Sequence, residues 1–495
     1  MSKYLAINIG PIIKTFSMAR KPREFWAASY MFSYLMECIL DHLDNNENLT
    51  LVSPFYQKGC CQNAGVGLFP DRIYYSVKRD VDIHHLADEA VKVFSETTGI
   101  NHQVVKRYFN IMTTCGEYDS DSAAIKGLNA TLNIMEFNQK ACLPEDQVTI
   151  QSFLNHTTNK EPSPLFRIAF GESKFSIETL EEIAMAGCDK AQFSHQKYVC
   201  IVQADGDNMG TIVQSDKMNV GRSQFSEDLM NFGKNACKKI REFGGRPIYA
   251  GGDDLLFIAP VCGKENSGTI LDLIGQIDEL FAKEIKVPVP IKDKDKNDKE
   301  VNPSMSYGIS IIYHKYPLYE AWEIARNMLF SKAKEVPGKN AIAVNLRKNS
   351  GSDFEIAISK SSDAYVKLTA LIRMSPDESL VSSVAHKFRA NEALLNVLPK
   401  EDGFEGLDDR LSVFYEKIID AETKSDNESI YLTHTKEMFE IVYKDFFIEK
   451  REKEKSKEKN ANEESAETDI HRIISKFYSM LRMAKFIKGE GIKDE

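Results

Sequence analysis

No stretch of this 495-residue sequence approaches the roughly 18 to 20 consecutive apolar residues that a membrane span needs, which excludes a helical membrane protein. The N-terminus, MSKYLAINIG, reads as a strand, and Pro11 with Lys14 interrupts any signal-peptide core, so a cytoplasmic location with no membrane association is expected. Cys-x-x-Cys is also missing. Cys60 and Cys61 are adjacent, while Cys38, Cys115, Cys142, Cys188, Cys200, Cys237 and Cys262 are scattered. An odd set of nine irregularly spaced thiols reads as reduced cysteines and not as a disulfide framework. Positive charge is short as well: 63 basic against 73 acidic residues give a net charge of −10, where a dedicated, unassisted nucleic-acid binder is more often basic. A local basic groove or a partner subunit can still supply the positive field that nucleic acid requires. What is present is ordinary for a globular chain, with 42% apolar and 27% charged residues, and the length suits about three or four domains.

Two composition breaks divide the chain. Residues 449–468, EKREKEKSKEKNANEESAET, hold no large apolar side chain and read as a solvated linker or frayed helix. Beyond them Ile470, Ile473, Ile474, Phe477, Met480, Leu481 and Ala484 form a helical stripe. Near 287–304 prolines bracket a charged, apolar-poor run that reads as a protruding loop. Between these breaks strands and helices alternate: KYVCIVQA is a buried strand, 222–243 a helix, RPIYAGGDDLLFIAP a hairpin with Gly-Gly at its tip, 269–285 a helix, MSYGISIIYH a strand, 318–334 a helix and KNAIAVNL a strand. The first six elements spell the split βαβ of ferredoxin-like sheets, the scaffold of nucleotidyl-transferase palms. The first 142 residues repeat the pattern, with a fourth strand expected over 108–114. The expected class is therefore α+β, with two ferredoxin-like palm domains: 1–142 non-catalytic, 143–197 a helical connection, 198–350 the catalytic palm, and 351–495 a helical C-terminal domain containing the 449–468 linker.

The chemistry is carried by acids. Asp205 ends the first strand of the second palm in ADGDNMG, and Asp253 and Asp254 sit at the hairpin tip, 48 residues on, at the same edge of a split βαβ sheet. Carboxylates brought together repel, and burial raises that cost. Divalent cations with hard oxygen ligands relieve it, which suits a Mg²⁺ or Mn²⁺ pair about 4 Å apart, clamping an attacking hydroxyl and a leaving pyrophosphate. Gly206, Gly251 and Gly252 lack Cβ atoms and let backbone approach a triphosphate. Either acidic segment alone would be an ordinary turn; the two together across a strand, helix and strand point to a site. Of the basic residues, Lys339 in Pro-Gly-Lys-Asn is a candidate triphosphate contact, whereas Lys332, Lys334, Lys14, Arg20, Lys21 and Arg23 suit a solvated face by default.

YAGGDDLLFIAP, preceded by ADGDNMG and followed by SYGISIIYHKYPLYEAWEIARNML and KNAIAV, resembles the palm of the large subunit of type III CRISPR effector complexes. The opening YLAINIGPIIKTFSMARKPREFWAASYMFSYLM and the closing FYSMLRMAKFI resemble its Cmr (type III-B) branch. The resemblance implies a second palm that polymerises ATP into signalling oligoadenylates once target RNA is bound, partnered by other Cmr-type subunits, CRISPR RNA and target RNA. It implies Asp205, Asp253 and Asp254 as metal ligands, with Gly206, Gly251 and Gly252 beside the nucleotide and Asp207 as a turn-former that positions the site. Many relatives begin with a metal nuclease domain bearing a His-Asp pair; here no His precedes Asp, so no nuclease activity of that type is expected, and His84-His85 reads as a helix-start surface pair. The N-terminal copy ends its first strand in Asn8-Ile9-Gly10-Pro11 and has no paired acids in its hairpin region, so its expected role is to shape a cleft with the second palm. Two alternatives compete: a stand-alone GGDEF-like dinucleotide cyclase, which Leu255 directly after Asp254 disfavours, and a non-catalytic scaffold subunit, which the intact acidic trio disfavours.

Overall fold

The computed structural model describes residues 1–59, 64–79, 81–137, 141–156, 164–171, 179–213, 221–264, 267–286, 289–292, 298–374, 378–395, 407–419, 426–456 and 466–489. Its first sheet is built on β1 (Ser2–Gly10), which pairs antiparallel with both β3 (Arg72–Val77) and β4 (Asn110–Tyr118), while β2 (Leu49–Ser53) lies outside β3. The spatial order β2-β3-β1-β4 is that of the split βαβ, with the helices Pro22–Asp44 and Ile83–Thr98 as its crossovers. Pro22 opens the first helix where its missing N–H costs nothing. The fourth strand starts later than expected, because Val104, Val105 and Tyr108 recur at helical spacing and form the buried face of a short helix, His102–Tyr108, capped by the Asn101 side chain. A helix not anticipated from sequence, Asp121–Phe137, covers the sheet's other face by packing Ala124, Ile125, Leu128 and Leu132 on Tyr4, Ala6 and Tyr74.

The second sheet repeats the order with additions. β5 (Tyr198–Gly206) lies between β7 (Asp254–Pro260) and β10 (Met305–Tyr313), and β6 (Arg246–Gly251) flanks β7. The helices Arg222–Phe243 and Ile270–Glu284 cross over as expected. The charged run near 287–304 contributes a small antiparallel ribbon, β8 (Val289–Lys292) with β9 (Asp298–Val301); its residues 293–297 lie outside the described residues. The helix Leu318–Ser331 carries the chain to β11 (Ala341–Arg347), parallel to β10. A further strand, β12 (Asp353–Ser359), pairs antiparallel with β11, so the start of the 351–448 segment, expected to be helical, extends the palm sheet to six strands. The alternation of Phe354, Ile356 and Ile358 inward carries that strand, a period of two easily missed in seven residues.

The two palms share one apolar core. Gly67 of the first bridges in parallel to Tyr249 of β6, and the Ala250 N–H donates to the Gly67 carbonyl at 2.9 Å. Phe16 stacks on Trp322 with ring centroids 5.0 Å apart, and the Trp26 indole N–H reaches the Gly65 carbonyl at 3.2 Å. The Ser33 hydroxyl accepts the N–H groups of Leu68 and Phe69, both at 3.0 Å, and so holds the bridging segment against the helix Pro22–Asp44.

The connection between the palms contains the helices Pro144–His156, Pro164–Phe170 and Leu180–Met185. After β12 come the helices Asp363–Arg373, Glu378–Ala390, Asp426–Ser456 and Ala466–Lys488 among the described residues. The helix Asp426–Ser456 runs into the expected linker, of which 457–465 lie outside the described residues. The last helix buries Ile470, Ile473, Ile474, Phe477, Met480, Leu481 and Ala484, the whole stripe read from sequence. It packs within the chain, against the helices Glu378–Ala390 and Asp363–Arg373 and against β12, and Phe486 meets Tyr198 of the palm edge-on at 4.8 Å. Phe477 is fully buried, with Phe388 at 4.6 Å and Phe439 at 5.1 Å between ring centroids. Phe477→Ala is therefore expected to cost about 3–5 kcal/mol, the usual range for emptying a buried aromatic site. Urea unfolding of the purified chain measures it, and a loss under ~1 kcal/mol would mean that the helix is not part of this core.

Candidate active site

The acids are assembled by strand register. Gly251 pairs with Asp254 across the β6–β7 hairpin, leaving Gly252 and Asp253 as its two-residue tip. Gly252 sits at φ +66°, the left-handed conformation that the first position of a type II′ turn demands and that glycine adopts freely. On the other side of β7, Ala204 of β5 pairs with Leu255, which sets Asp205 opposite Asp254. The Gly206 N–H then donates to the Asp253 carbonyl at 3.2 Å, tying the strand end to the hairpin tip. A Cβ on Gly206 would stand 2.9 Å from the Asp253 Cβ and 2.6 Å from the Met209 Cγ, so only glycine permits this approach. Gly206 has a packing reason here, in addition to the nucleotide proximity read from sequence.

Crowding raises the protonation tendency of these carboxyls. Burial, then the neighbouring Asp205, pushes Asp253 up to about 7. Burial, then Asp253 and Asp205, pushes Asp254 well above the usual carboxylate range, and its side chain hydrogen-bonds that of Asp205. Lys334, in the turn after the helix Leu318–Ser331, supplies a cation within the cluster. Its Nζ donates to the carbonyls of Asp205 and Gly206 at 3.0 and 2.9 Å and to Asp207 Oδ1 at 2.9 Å, and it forms an ion pair with the Asp205 carboxylate. Burial lowers the Lys334 pKa, but Asp205 and Asp207 outweigh that and hold it raised, so the ammonium stays charged. The default of a solvated face for Lys334 is thus overturned: its stem is buried and its head faces the acids. Lys332, two residues earlier, pairs loosely with Glu355 at 3.8 Å, and Lys14, Arg20 and Lys21 are exposed.

Asp207 lies deeper than a turn-former at the surface. Its carboxylate accepts the hydroxyls of Ser304 and Ser306, each at 2.8 Å, and the N–H of Asn340 at 2.9 Å, and it is 1% exposed. The loop bearing Asn340 is bent unusually, with Gly338, Lys339 and Asn340 at φ +79°, +55° and +45°. Left-handed backbone costs a non-glycine residue roughly 1–2 kcal/mol. The bond from Asn340 to Asp207 offsets it, as does the Lys339 Nζ donating to Asn208 Oδ1 at 2.7 Å. Lys339, the candidate triphosphate contact, is held beside the strand end carrying Asp205. Ser306 and Ser310 of β10 are fully buried, and the Tyr307 hydroxyl donates to Asp278.

Between the palms lies a cavity of about 210 Å³, walled by Asp254, Gln203, Tyr249 and Trp322 from the second palm and by Phe16, Ser29, Ser33 and Asp71 from the first. Asp71 was not singled out in the sequence. Its signal lies in register: Asn8 pairs with Arg72 in the first sheet as Ala204 pairs with Leu255 in the second, so Asp71 occupies the place of Asp254. Burial pushes the Asp71 carboxyl up, against the pull of Arg72. Arg72 itself is turned to the outer helix, donating to Asn129 at 2.8 Å and Glu136 at 2.6 Å. His84 and His85 are exposed in the first turn of the helix Ile83–Thr98. Among the described residues no three His, Cys, Asp or Glu side chains form a ready-made metal cage.

Comparison with known proteins follows the same division. Residues 198–343 match the family model for the second palm domain of Cas10/Cmr2, and residues 4–98 match that for the N-terminal region of the CRISPR-associated protein Cmr2. The CRISPR system Cmr subunit Cmr2 of Pyrococcus furiosus is 30% identical over 181 residues, which cover 32% of this chain and 19% of that protein. Among solved structures, a Csm1–Csm4 cassette in complex with AMPPNP is similar at a TM-score of 0.51 and 11% identity, over 88% of this chain and 69% of that one. A type III-B Cmr-beta complex bound to cognate target RNA holds a similar chain at 0.50 and 11%, over 86% and 80%. At such identities these structures speak for the fold, while residues 198–343 and 4–98 are the two segments in which the chain is similar to the Cas10/Cmr2 family.

Proposed function

We propose that this protein is a target-RNA-activated, metal-dependent nucleotidyl transferase that makes an adenylate second messenger from ATP within a type III CRISPR effector complex. The observation that carries the reading is the convergence of Asp205 and Asp253 with Asp254, which lines the inter-palm cavity, and with Lys334 paired to Asp205. The catalytic palm is 198–350, the first palm, 1–142, closes the cavity without supplying a second acid pair, and the C-terminal helices are structural. Support for nucleotide comes from chains of this fold solved as Csm1–Csm4 cassettes with AMPPNP and with pppApA. Support for other Cmr-type subunits, CRISPR RNA and target RNA as partners comes from the Cmr-beta complex bound to cognate target RNA and from the Cmr subunit of Pyrococcus furiosus. No helix among the described residues is long and apolar enough to cross a membrane.

The donor set fits Mg²⁺ or Mn²⁺. Three carboxyls converge at one strand end and hairpin tip with Lys334 paired to Asp205, so the local negative charge exceeds what Lys334 compensates. Mg²⁺ typically takes one or two carboxylates and completes its shell with water and substrate phosphate, so a preformed protein cage is not needed. Asp205, Asp253 and Asp254 would hold it, and bound there it would polarise the phosphoryl group and neutralise the leaving pyrophosphate. The protein's own groups do the rest. Lys334 fixes the Asp205 carboxylate and the carbonyls on either side of Gly206, so the strand end does not recoil. Lys339, on its strained loop, presents an ammonium toward the triphosphate. Phe16, Trp322 and Tyr249 wall the cavity with aromatic surface suited to a purine, and Asp71 and Gln203 add hydrogen-bonding groups that orient an acceptor.

The direct test is a radiolabelled-ATP assay with the assembled complex, target RNA and Mg²⁺ or Mn²⁺. Asp253→Ala with Asp254→Ala is expected to lower product formation by at least ~100-fold, as when several kcal/mol of transition-state stabilisation is lost. Assembly and thermal stability should hold, since no core cavity opens. Wild-type turnover in that variant would sink the palm assignment and leave the scaffold reading.

A second expectation concerns pH without metal. The Asp253 pKa is raised on folding, so its contribution to stability is full below the ordinary carboxylate range and is lost as pH rises through about 7. In EDTA the thermal midpoint should fall from pH 5 to pH 8, each pKa unit being worth about 1.4 kcal/mol or roughly 1–2 °C in a chain of this length. Millimolar Mg²⁺ should restore the midpoint at pH 8, and Asp253→Asn should flatten the slope. A midpoint independent of both pH and Mg²⁺ would remove the acid cluster from consideration as a cation site.

A further inference from the structure

Lys360, Asp278 and Tyr307 form a second charged cluster in the palm, on the side of β10 away from the acids. The Lys360 Nζ donates to Asp278 Oδ2 at 2.5 Å and stands 4.5 Å from the centre of the Tyr307 ring, and the Tyr307 hydroxyl donates to Asp278 Oδ1 at 2.9 Å. The Lys360 side chain is 7% exposed. A buried ion pair is weak support for stability, because desolvating two charges cancels most of their attraction. Such a group is retained where it fixes one arrangement among several, and its connections show which arrangement that is.

Three links run from the cluster to the acids. The Lys360 N–H donates to the Asn340 carbonyl at 2.8 Å, while the Asn340 N–H donates to Asp207, so the left-handed loop is gripped at both ends of one residue. Tyr307 is the neighbour of Ser306, whose hydroxyl donates to Asp207. Lys360 also stands two residues before Ser362, which caps the helix Asp363–Arg373, the first of the C-terminal bundle. That helix is tied to the palm helix Ile270–Glu284 a second time, by Arg373 with Asp272 at 2.7 Å, an exposed pair of little energy.

We propose that Lys360, Asp278 and Tyr307 are positioning residues that couple the C-terminal helical bundle to the loop 338–340, and through it set Lys339 and Asp207 for the nucleotide. The proposal rests on the transferase reading above. A shift of the helix Asp363–Arg373 draws on Lys360, which moves the Asn340 carbonyl, and the loop answers because its left-handed backbone is held only by such bonds. Displacement of about 1 Å at a binding group remote from the chemistry can cost on the order of 100-fold in rate.

The test uses the assembled complex with target RNA, ATP and Mg²⁺. Removing one charge would strand the other, so the informative variant is Lys360→Met with Asp278→Leu and Tyr307→Phe, an apolar replacement of similar volume that is often neutral for stability. The expected result is a wild-type unfolding temperature, a roughly 10- to 100-fold loss of kcat/KM carried mainly by a higher KM for ATP, and faster amide hydrogen exchange at Asn340. Wild-type KM and kcat per folded molecule would overturn the proposal, as would unchanged exchange at Asn340. Should the triple variant not fold, Tyr307→Phe alone keeps the ion pair and should raise KM several-fold, and no change in KM or exchange there overturns the proposal equally. Should the wild-type complex yield no nucleotide product, the transferase reading fails, whereas the exchange measurement still decides the coupling.

Discussion

Repulsion among Asp205, Asp253 and Asp254 is the constraint around which the second palm is arranged. Three carboxyls cannot be gathered at a strand end unless backbone holds them there, and backbone does so in two places. The β5–β7 register sets Asp205 opposite Asp254, and the Gly206 N–H fastens the strand end to the Asp253 carbonyl. Lys334 then offsets part of the charge from one side. Fold stability alone would be served better by neutral residues at these positions. Asp207 belongs to the support of the cluster: with both serine hydroxyls, Lys334 and the Asn340 N–H satisfying its carboxylate, it has no lone pair in evident need of a cation.

The first palm answers a different need. Its sheet repeats the order of the second, and its bridging segment from Gly65 to Phe69 lies along β6, so the two halves share one core instead of meeting across a wet interface. A cavity left between such closely packed halves is defined in shape, because neither wall can shift without breaking the Gly67–Ala250 bond or the Phe16–Trp322 stack. The repeat is also chemically unequal. Where the second palm has Asp253 and Asp254, the first has Pro70 and Asp71, and where one continues into Leu255 the other has Arg72 committed to Glu136. One acid without a partner cannot hold a cation pair, but it can accept a hydrogen bond from a substrate lying between the palms.

Much of the fold was legible because period and register are local properties. The strand Tyr198–Gly206, the hairpin around Gly252 and the stripe from Ile470 to Ala484 announce themselves within ten or twenty residues. The acidic trio was legible for the same reason, since topology alone brings one strand end to one hairpin tip. Lys334 was not, because a lysine after an amphipathic helix is usually solvated, and only the path of the turn toward β5 buries its stem. Asp71 was hidden by its neighbours, and required the two sheets to be superposed in register before its equivalence to Asp254 became visible. β12 failed for a simpler cause: seven residues of alternation between glycine-serine turns carry less signal than the helices that follow.

Strain and its compensation show where the remaining specificity is concentrated. Three successive left-handed residues at 338–340 would relax in isolation, since Lys339 and Asn340 carry side chains that disfavour that backbone. They are held by Asp207 at one face and Lys360 at the other, so the loop's geometry is a joint property of the acid cluster, β10 and the segment entering the C-terminal helices. The last helix closes that circuit. It packs on β12 and on the helix Asp363–Arg373, and its end meets the palm again, where Cys262 Sγ lies 3.3 Å from the Ile487 carbonyl. A force applied to the bundle is thus delivered to the palm at both ends of the segment that begins at Lys360. Rigid connections of this kind transmit displacement because packed cores yield in discrete steps and not by continuous give. The shortest such path to the loop 338–340 is a single hydrogen bond, from the Lys360 N–H to the Asn340 carbonyl.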